Sequence, residues 1–213
     1  MSKLWIFGDS FSERWSDDCS YSKWKGYTPK VFSEIMSERL GIECINHAHS
    51  GWSNYDIFES ICENVDKIKE NDIVIIGWSG LLRFRLVNNS KNRWLSFQPG
   101  NWDLIKRDGL GIRGLSENTI NEIVFNRNYT TLYKREVLNW IHLLSHTFKN
   151  NPIINWTWSR MDWELEPVPY QTITEESNNE IIDWHWCESS HLEFSERLIG
   201  LLEDKKYIKT LVY

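Results

Sequence analysis

No segment of the chain combines the length and apolarity needed to cross a bilayer as a helix, so a helical membrane protein is excluded. Cysteine is sparse too. Cys19, Cys44, Cys62 and Cys187 stand apart without C-x-x-C spacing, which fits free thiols in a reducing cytosol rather than a disulfide framework or a zinc site, and no metal is assigned. Basic residues are outnumbered, with 24 Lys and Arg against 30 Asp and Glu and a formal net charge of −6. Phosphate-binding surfaces rest on clustered cations, so nucleic acid is not an expected partner. The amino terminus runs from Met1 to Lys3 directly into an apolar strand pattern, with neither a signal peptide nor a transit peptide, and the expected location is cytoplasmic. Repeats and low-complexity tracts are missing as well, and nothing calls for a cofactor.

What is present is an ordinary globular composition, 41% hydrophobic and 25% charged over 213 residues, which predicts one domain spanning 1–213 with a core that needs no disulfide or metal. Apolar runs of strand length recur at 4–7, 42–46, 73–76 and 152–156, each bounded by Gly, Asn, Asp or Ser. Between them lie amphipathic helical patterns at 28–40, 53–68, 131–148 and 190–202, the second opening on Ser53-x-x-Asp56. Strands alternating with helices predict βαβ units and a parallel sheet. Two stretches break the rhythm, at about 83–128 and 159–179, and are read as insertions packed over one end of the sheet.

The strand ends carry the polar residues. Gly8-Asp9-Ser10 closes the first run, His49-Ser50-Gly51-Trp52-Ser53-Asn54 follows the second, Gly77-Trp78-Ser79-Gly80 the third and Trp158-Ser159-Arg160 the fourth. Ligands bind at the carboxyl ends of parallel strands, where these loops converge. Ser10 is therefore a candidate nucleophile, and Asp183-x-His185 or Glu188-x-x-His191, before the last helix, offers the base it requires. The plainer alternative makes Gly8-Asp9-Ser10 a strand-to-helix turn. Among 13 tryptophans, Trp52, Trp78, Trp158, Trp184 and Trp186 lie close to those strand ends. Indoles there suit a sugar ring or an aromatic acyl group, although most tryptophans simply pack at the core or its boundary.

The order of these blocks resembles the SGNH hydrolase superfamily, also called GDSL esterases, over essentially the whole chain. That resemblance implies a three-layer α/β/α sandwich with a central parallel sheet, flavodoxin-like in topology. It implies that Ser10 is the nucleophile, and that the N–H groups of Ser10 and Gly51 form the oxyanion hole. The third block departs from the family pattern Gly-x-Asn-Asp, since Gly77-Trp78-Ser79-Gly80 has neither the asparagine nor the aspartate. Ser79 or Asn54 is the expected substitute for the lost donor. A Trp-Ser third block with Arg83 shortly after it is similar to a divergent branch of stand-alone domains from tailed phages and their hosts, which implies virion association if the chain is phage-encoded. In the fourth block the favoured reading takes Asp183 and His185, while Glu188 and His191 remain the rival pair. Trp52, Trp78, Trp184 and Arg83 are expected to contact substrate, with a salt bridge the competing role for Arg83. The implied activity is hydrolysis of a small acyl ester, an acetyl group above all, on a small molecule or a carbohydrate. A non-catalytic carbohydrate-binding domain and an acyltransferase are the alternatives.

Overall fold

The computed structural model of the protein describes residues 2–88, 93–97, 122, 127–159 and 171–204. The four apolar runs form the strands β1 (Lys3–Phe7), β2 (Glu43–Asn46), β3 (Ile73–Trp78) and, later in the chain, β6 (Ile153–Thr157). They make one parallel sheet in the order β2-β1-β3-β6. Leu4 of β1 stands opposite Cys44 on one side and Ile73 on the other, so β1 is central and the winding direction reverses beside it.

Both faces of the sheet are buried, which is why the strands read as continuous apolar runs rather than alternating ones. Leu4, Ile6, Ile73, Ile75, Ile154 and Trp156 face one layer, formed by α2 (Phe32–Leu40) and α6 (Glu188–Asp204) through Phe32, Met36, Phe194 and Leu198. Trp5, Phe7, Val74, Ile76 and Trp78 face the other, formed by α3 (Asn54–Asn64) and α4 (Arg127–Thr147) through Ile57, Ile61, Val137 and Leu144. The result is the expected three-layer α/β/α arrangement. Local chemistry sets the helix ends. The Asp56 carboxylate accepts the Ser53 N–H at 2.8 Å to open α3, and Gly41, at φ +64°, closes α2 in the left-handed region that favours glycine. Gly77 has a packing reason instead, because a Cβ there would stand 2.7 Å from the Trp156 ring.

Several expected boundaries shift. The helix expected over 28–40 starts at Phe32, and the one expected over 53–68 ends at Asn64, followed by a 3₁₀ turn at Val65–Lys67. Two further short helices, α1 (Ser20–Lys25) and α5 (Ile173–Glu176), lack a sequence periodicity long enough to announce them. The stretch at 83–128 contains an antiparallel hairpin, β4 (Phe84–Asn88) and β5 (Arg93–Phe97), and its last residues already belong to α4. Within 159–179, Thr172 bridges Trp186 and α5 follows. Most of 98–126 and all of 160–170 lie outside the described residues. No helix among the described residues is long and apolar enough to cross a membrane.

Candidate active site

Because the sheet is parallel, the loops after β1, β2, β3 and β6 open at one edge, and one buried carboxylate joins all four. Asp9, 1% exposed, accepts from Arg83 Nη1 at 3.1 Å and from Trp158 Nε1 at 2.8 Å, while the same Arg83 nitrogen donates to the Trp52 carbonyl at 3.0 Å. The other Asp9 oxygen takes the Phe11 N–H at 3.1 Å, and the Asp9 carbonyl takes those of Ser12 and Glu13. The chain therefore turns tightly around Ser10. The Ser10 hydroxyl is half-buried and makes no hydrogen bond to a described residue.

Ser10 lines a cavity of about 260 Å³ that also receives Asp183 and His185 from the segment before α6. His185 Nδ1 stands 2.6 Å from Asp183 Oδ1, and the His185 backbone N–H reaches the same oxygen at 3.0 Å. Burial alone would raise the Asp183 pKa, but the hydrogen bonds and charge of His185 outweigh it and hold the carboxyl below its ordinary value. The loop itself is anchored to α5. Thr174 N–H and Oγ1 donate to the Asp183 carbonyl, Asp183 N–H donates back to Thr174 Oγ1, and Ile173 N–H donates to the His185 carbonyl. The His185 ring lies 4.9 Å from Phe11, which stacks on Trp158.

The rival pair is not assembled. His191 is fully buried among Phe32, Trp15 and Trp186, its Nδ1 accepts the Phe32 N–H at 3.4 Å, and burial drives its pKa down to about 3. The Glu188 carboxylate serves Tyr27 Oη at 2.6 Å and Lys25 Nζ at 3.4 Å instead. Gly51 sits at the exposed turn after β2 with φ +84°, and its N–H meets no acceptor among the described residues.

Other expected site residues go elsewhere. Asn54 and Ser79 are both fully buried and bind each other: Asn54 Oδ1 accepts the Ser79 N–H at 2.7 Å, and Asn54 Nδ2 donates to the Ser79 carbonyl at 3.0 Å. Neither lines the cavity. Trp78 is a correction, since β3 continues through it and carries its indole into the core, where Nε1 donates to Asn155 Oδ1 at 2.9 Å. Trp186 is likewise core. Trp52 stacks on His49, Trp184 is 69% exposed, and neither lines the cavity; Arg83 is held in its ion pair with Asp9. His47 packs on Trp5 and Phe7. The walls come largely from a segment that sequence reasoning passed over, with Glu13, Arg14, Trp15, Cys19 and Tyr21 at the cavity. The available signal was adjacency, as the aromatic and charged run from Phe11 to Trp15 follows Ser10 directly. No group of three or more metal-ligating side chains occurs among the described residues.

No protein-family model and no curated protein matches the sequence. Among solved structures, a carbohydrate esterase whose active site displays divergent catalytic and non-catalytic binding functions superposes at TM-score 0.50 and 13% identity, over 97% of this chain and 70% of that one. The chain has the SGNH-hydrolase fold. Two more solved structures are similar at lower scores. An acetyl xylan esterase (Est2A) from Butyrivibrio proteoclasticus gives TM-score 0.49 at 12% identity, over 97% of this chain and 64% of that one. A family two carbohydrate esterase from Clostridium thermocellum, in complex with cellohexaose, gives 0.48 at 14%, over 97% and 65%.

Proposed function

We propose that the protein is a serine esterase that removes a small acyl group through Ser10, His185 and Asp183. The observation that carries this reading is the 2.6 Å hydrogen bond between Asp183 and His185 at a cavity shared with Ser10. His185 takes the Ser10 proton through Nε2 as Oγ attacks the ester carbonyl, and returns it to the leaving alcohol; Asp183 fixes the tautomer and stabilises the imidazolium. The absence of a direct Ser10–His185 hydrogen bond in the free protein is compatible with this, because catalytic contacts commonly tighten only when substrate binds. The oxyanion is received by the N–H groups of Ser10 and Gly51. Water then releases the acyl group from Ser10.

The cavity supports a short acyl group, since among the described residues Ile173 is the only aliphatic side chain on its wall. Trp15, only partly buried, supplies a flat face for a ring, which favours an acetylated sugar or similar small ester. A carbohydrate esterase among the proteins of the same fold agrees with that class. A second reading, a binding domain without turnover, draws on the placement of Asn54 and Ser79, both buried away from the cavity, so that neither side chain stands where it would complete the oxyanion hole. A fluorophosphonate probe separates the two. Stoichiometric labelling that maps to Ser10 and disappears in Ser10→Ala is expected, whereas a folded protein that never labels would leave the binding reading.

A further inference from the structure

The solvent-facing side of α4 carries two histidines one helical turn apart, His142 and His146, far in sequence from every residue assigned above. Their Nε2 atoms share a hydrogen bond at 3.2 Å, so one ring carries its proton on Nε2 and shifts it to Nδ1 when a metal takes that nitrogen, and their rings are nearly perpendicular. We propose that this pair is a metal-binding site that chelates one borderline divalent transition ion, such as Zn²⁺ or Ni²⁺, between the two Nε2 atoms.

Geometry carries the proposal. Imidazole nitrogens bind zinc at about 2.0–2.1 Å, so two nitrogens 3.2 Å apart around one ion subtend roughly 100–106°. That is close to the tetrahedral angle of about 109° favoured by four-coordinate zinc. The i, i+4 spacing is the one by which helices present two imidazoles on one face to a metal. It is held here by a regular helix of 21 residues whose opposite face is buried through Val137 and Leu144, so the ligands need little reorganisation. Imidazole nitrogen selects Zn²⁺, Ni²⁺ and Cu²⁺ over Mg²⁺ and Ca²⁺, which prefer oxygen. Since no third ligand accompanies the pair among the described residues, water completes the shell and the ion exchanges freely. Leu143 follows His142 where a zinc hydrolase helix of H-E-x-x-H type has its general base, so the site binds a metal without adding hydrolytic chemistry.

The experiment is titration of the whole protein with NiCl₂ by calorimetry, with thermal unfolding followed at each concentration. Saturable binding of one Ni²⁺ per chain is expected, with a Tm that rises with metal because only the folded helix brings the ligands together. ZnCl₂ should act likewise and MgCl₂ should do nothing. His142→Ala and His146→Ala each leave one imidazole and lose the chelate, which should weaken binding by about a hundredfold or more. Both side chains are exposed, so the unliganded Tm of each variant should match that of the parent. Failure to bind Ni²⁺ at millimolar concentration, or binding that survives the double substitution, would overturn the proposal.

Discussion

His185 and His191 lie six residues apart, and their surroundings give them opposite chemistry. The first has its Nδ1 on a carboxylate and its ring at the cavity; the second is sealed between aromatic rings, with burial holding it neutral to about pH 3. On the proposed mechanism, His185→Ala should cut turnover of an acetyl ester by about a hundred- to ten-thousandfold, while His191→Phe should keep most activity per folded molecule; the reverse ranking would move the base to His191. His191 has its own signature in stability. An unfolded histidine protonates near pH 6.5 and this folded one only near 3, so between those values the unfolded state binds the extra proton. The contribution is intact above about pH 6.5 and is lost as pH falls towards 3, with a slope of up to about 1.4 kcal/mol per unit. Urea unfolding at pH 7 and pH 5 should show the parent losing more stability than His191→Phe, and equal losses would contradict a buried neutral ring. His47, whose pKa burial also lowers, is common to both proteins and cancels in that comparison. The sequence made Asp183 and His185 readable because a one-residue spacing lets local backbone bring them together. Trp78 was misjudged for an equally local reason: β3 runs two residues beyond the apolar run, and a side chain at 78 then points the same way as those at 74 and 76.

Elements long enough to show a period were legible, and short ones were not. The four parallel strands and four long helices come straight from the spacing of apolar residues, whereas α1, with six residues, is fixed by contacts with distant parts of the chain. Tyr21 Oη accepts the N–H of Glu188 at 2.9 Å, at the start of α6, and donates to the Glu176 carboxylate at the end of α5. Lys25 lies between Glu176 at 3.1 Å and Glu188 at 3.4 Å. This cluster clamps α1 to both ends of the segment that carries Asp183 and His185, and Tyr21 also forms part of the cavity wall. Tyr21→Phe keeps the ring but strands the Glu188 N–H and removes the donor to Glu176. A loss of about 1–3 kcal/mol in unfolding free energy is expected, together with faster amide exchange at residues 181–188. Unchanged exchange there would mean that α5 alone holds the segment.

Across the whole molecule the sheet supplies rigidity, and the site lies where four loops leave it. Such an edge has no strand pairing of its own, so its shape depends on what cross-links the loops. The Asp9–Arg83 pair, with Trp158 and the Trp52 carbonyl, is that cross-link, and both charged side chains are largely removed from water, Asp9 at 1% and Arg83 at 12% exposure. The sequence marked both residues, yet their pairing spans 74 positions and no local pattern encodes it. Exposed ion pairs contribute little, but breaking a buried one leaves an uncompensated charge. Asp9 retains Trp158 Nε1 and the Phe11 N–H, so Arg83→Ala should sit near the lower end of the range for such losses, at about 3 kcal/mol. Lysine restores the charge without the planar fork, and Arg83→Lys should therefore recover only part of that stability. Asp9→Asn alone should destabilise too, because it leaves the Arg83 guanidinium buried beside a neutral amide. In the double variant neither charge is left alone, and a double-mutant cycle should return a coupling of about 0.5–3 kcal/mol. Labelling of Ser10 by the fluorophosphonate, measured well below each variant's Tm, should slow in the same order if the cross-link also positions the nucleophile. Additive losses with an unchanged labelling rate would reduce the pair to ordinary packing and leave the Asp9 backbone turn to hold Ser10 by itself.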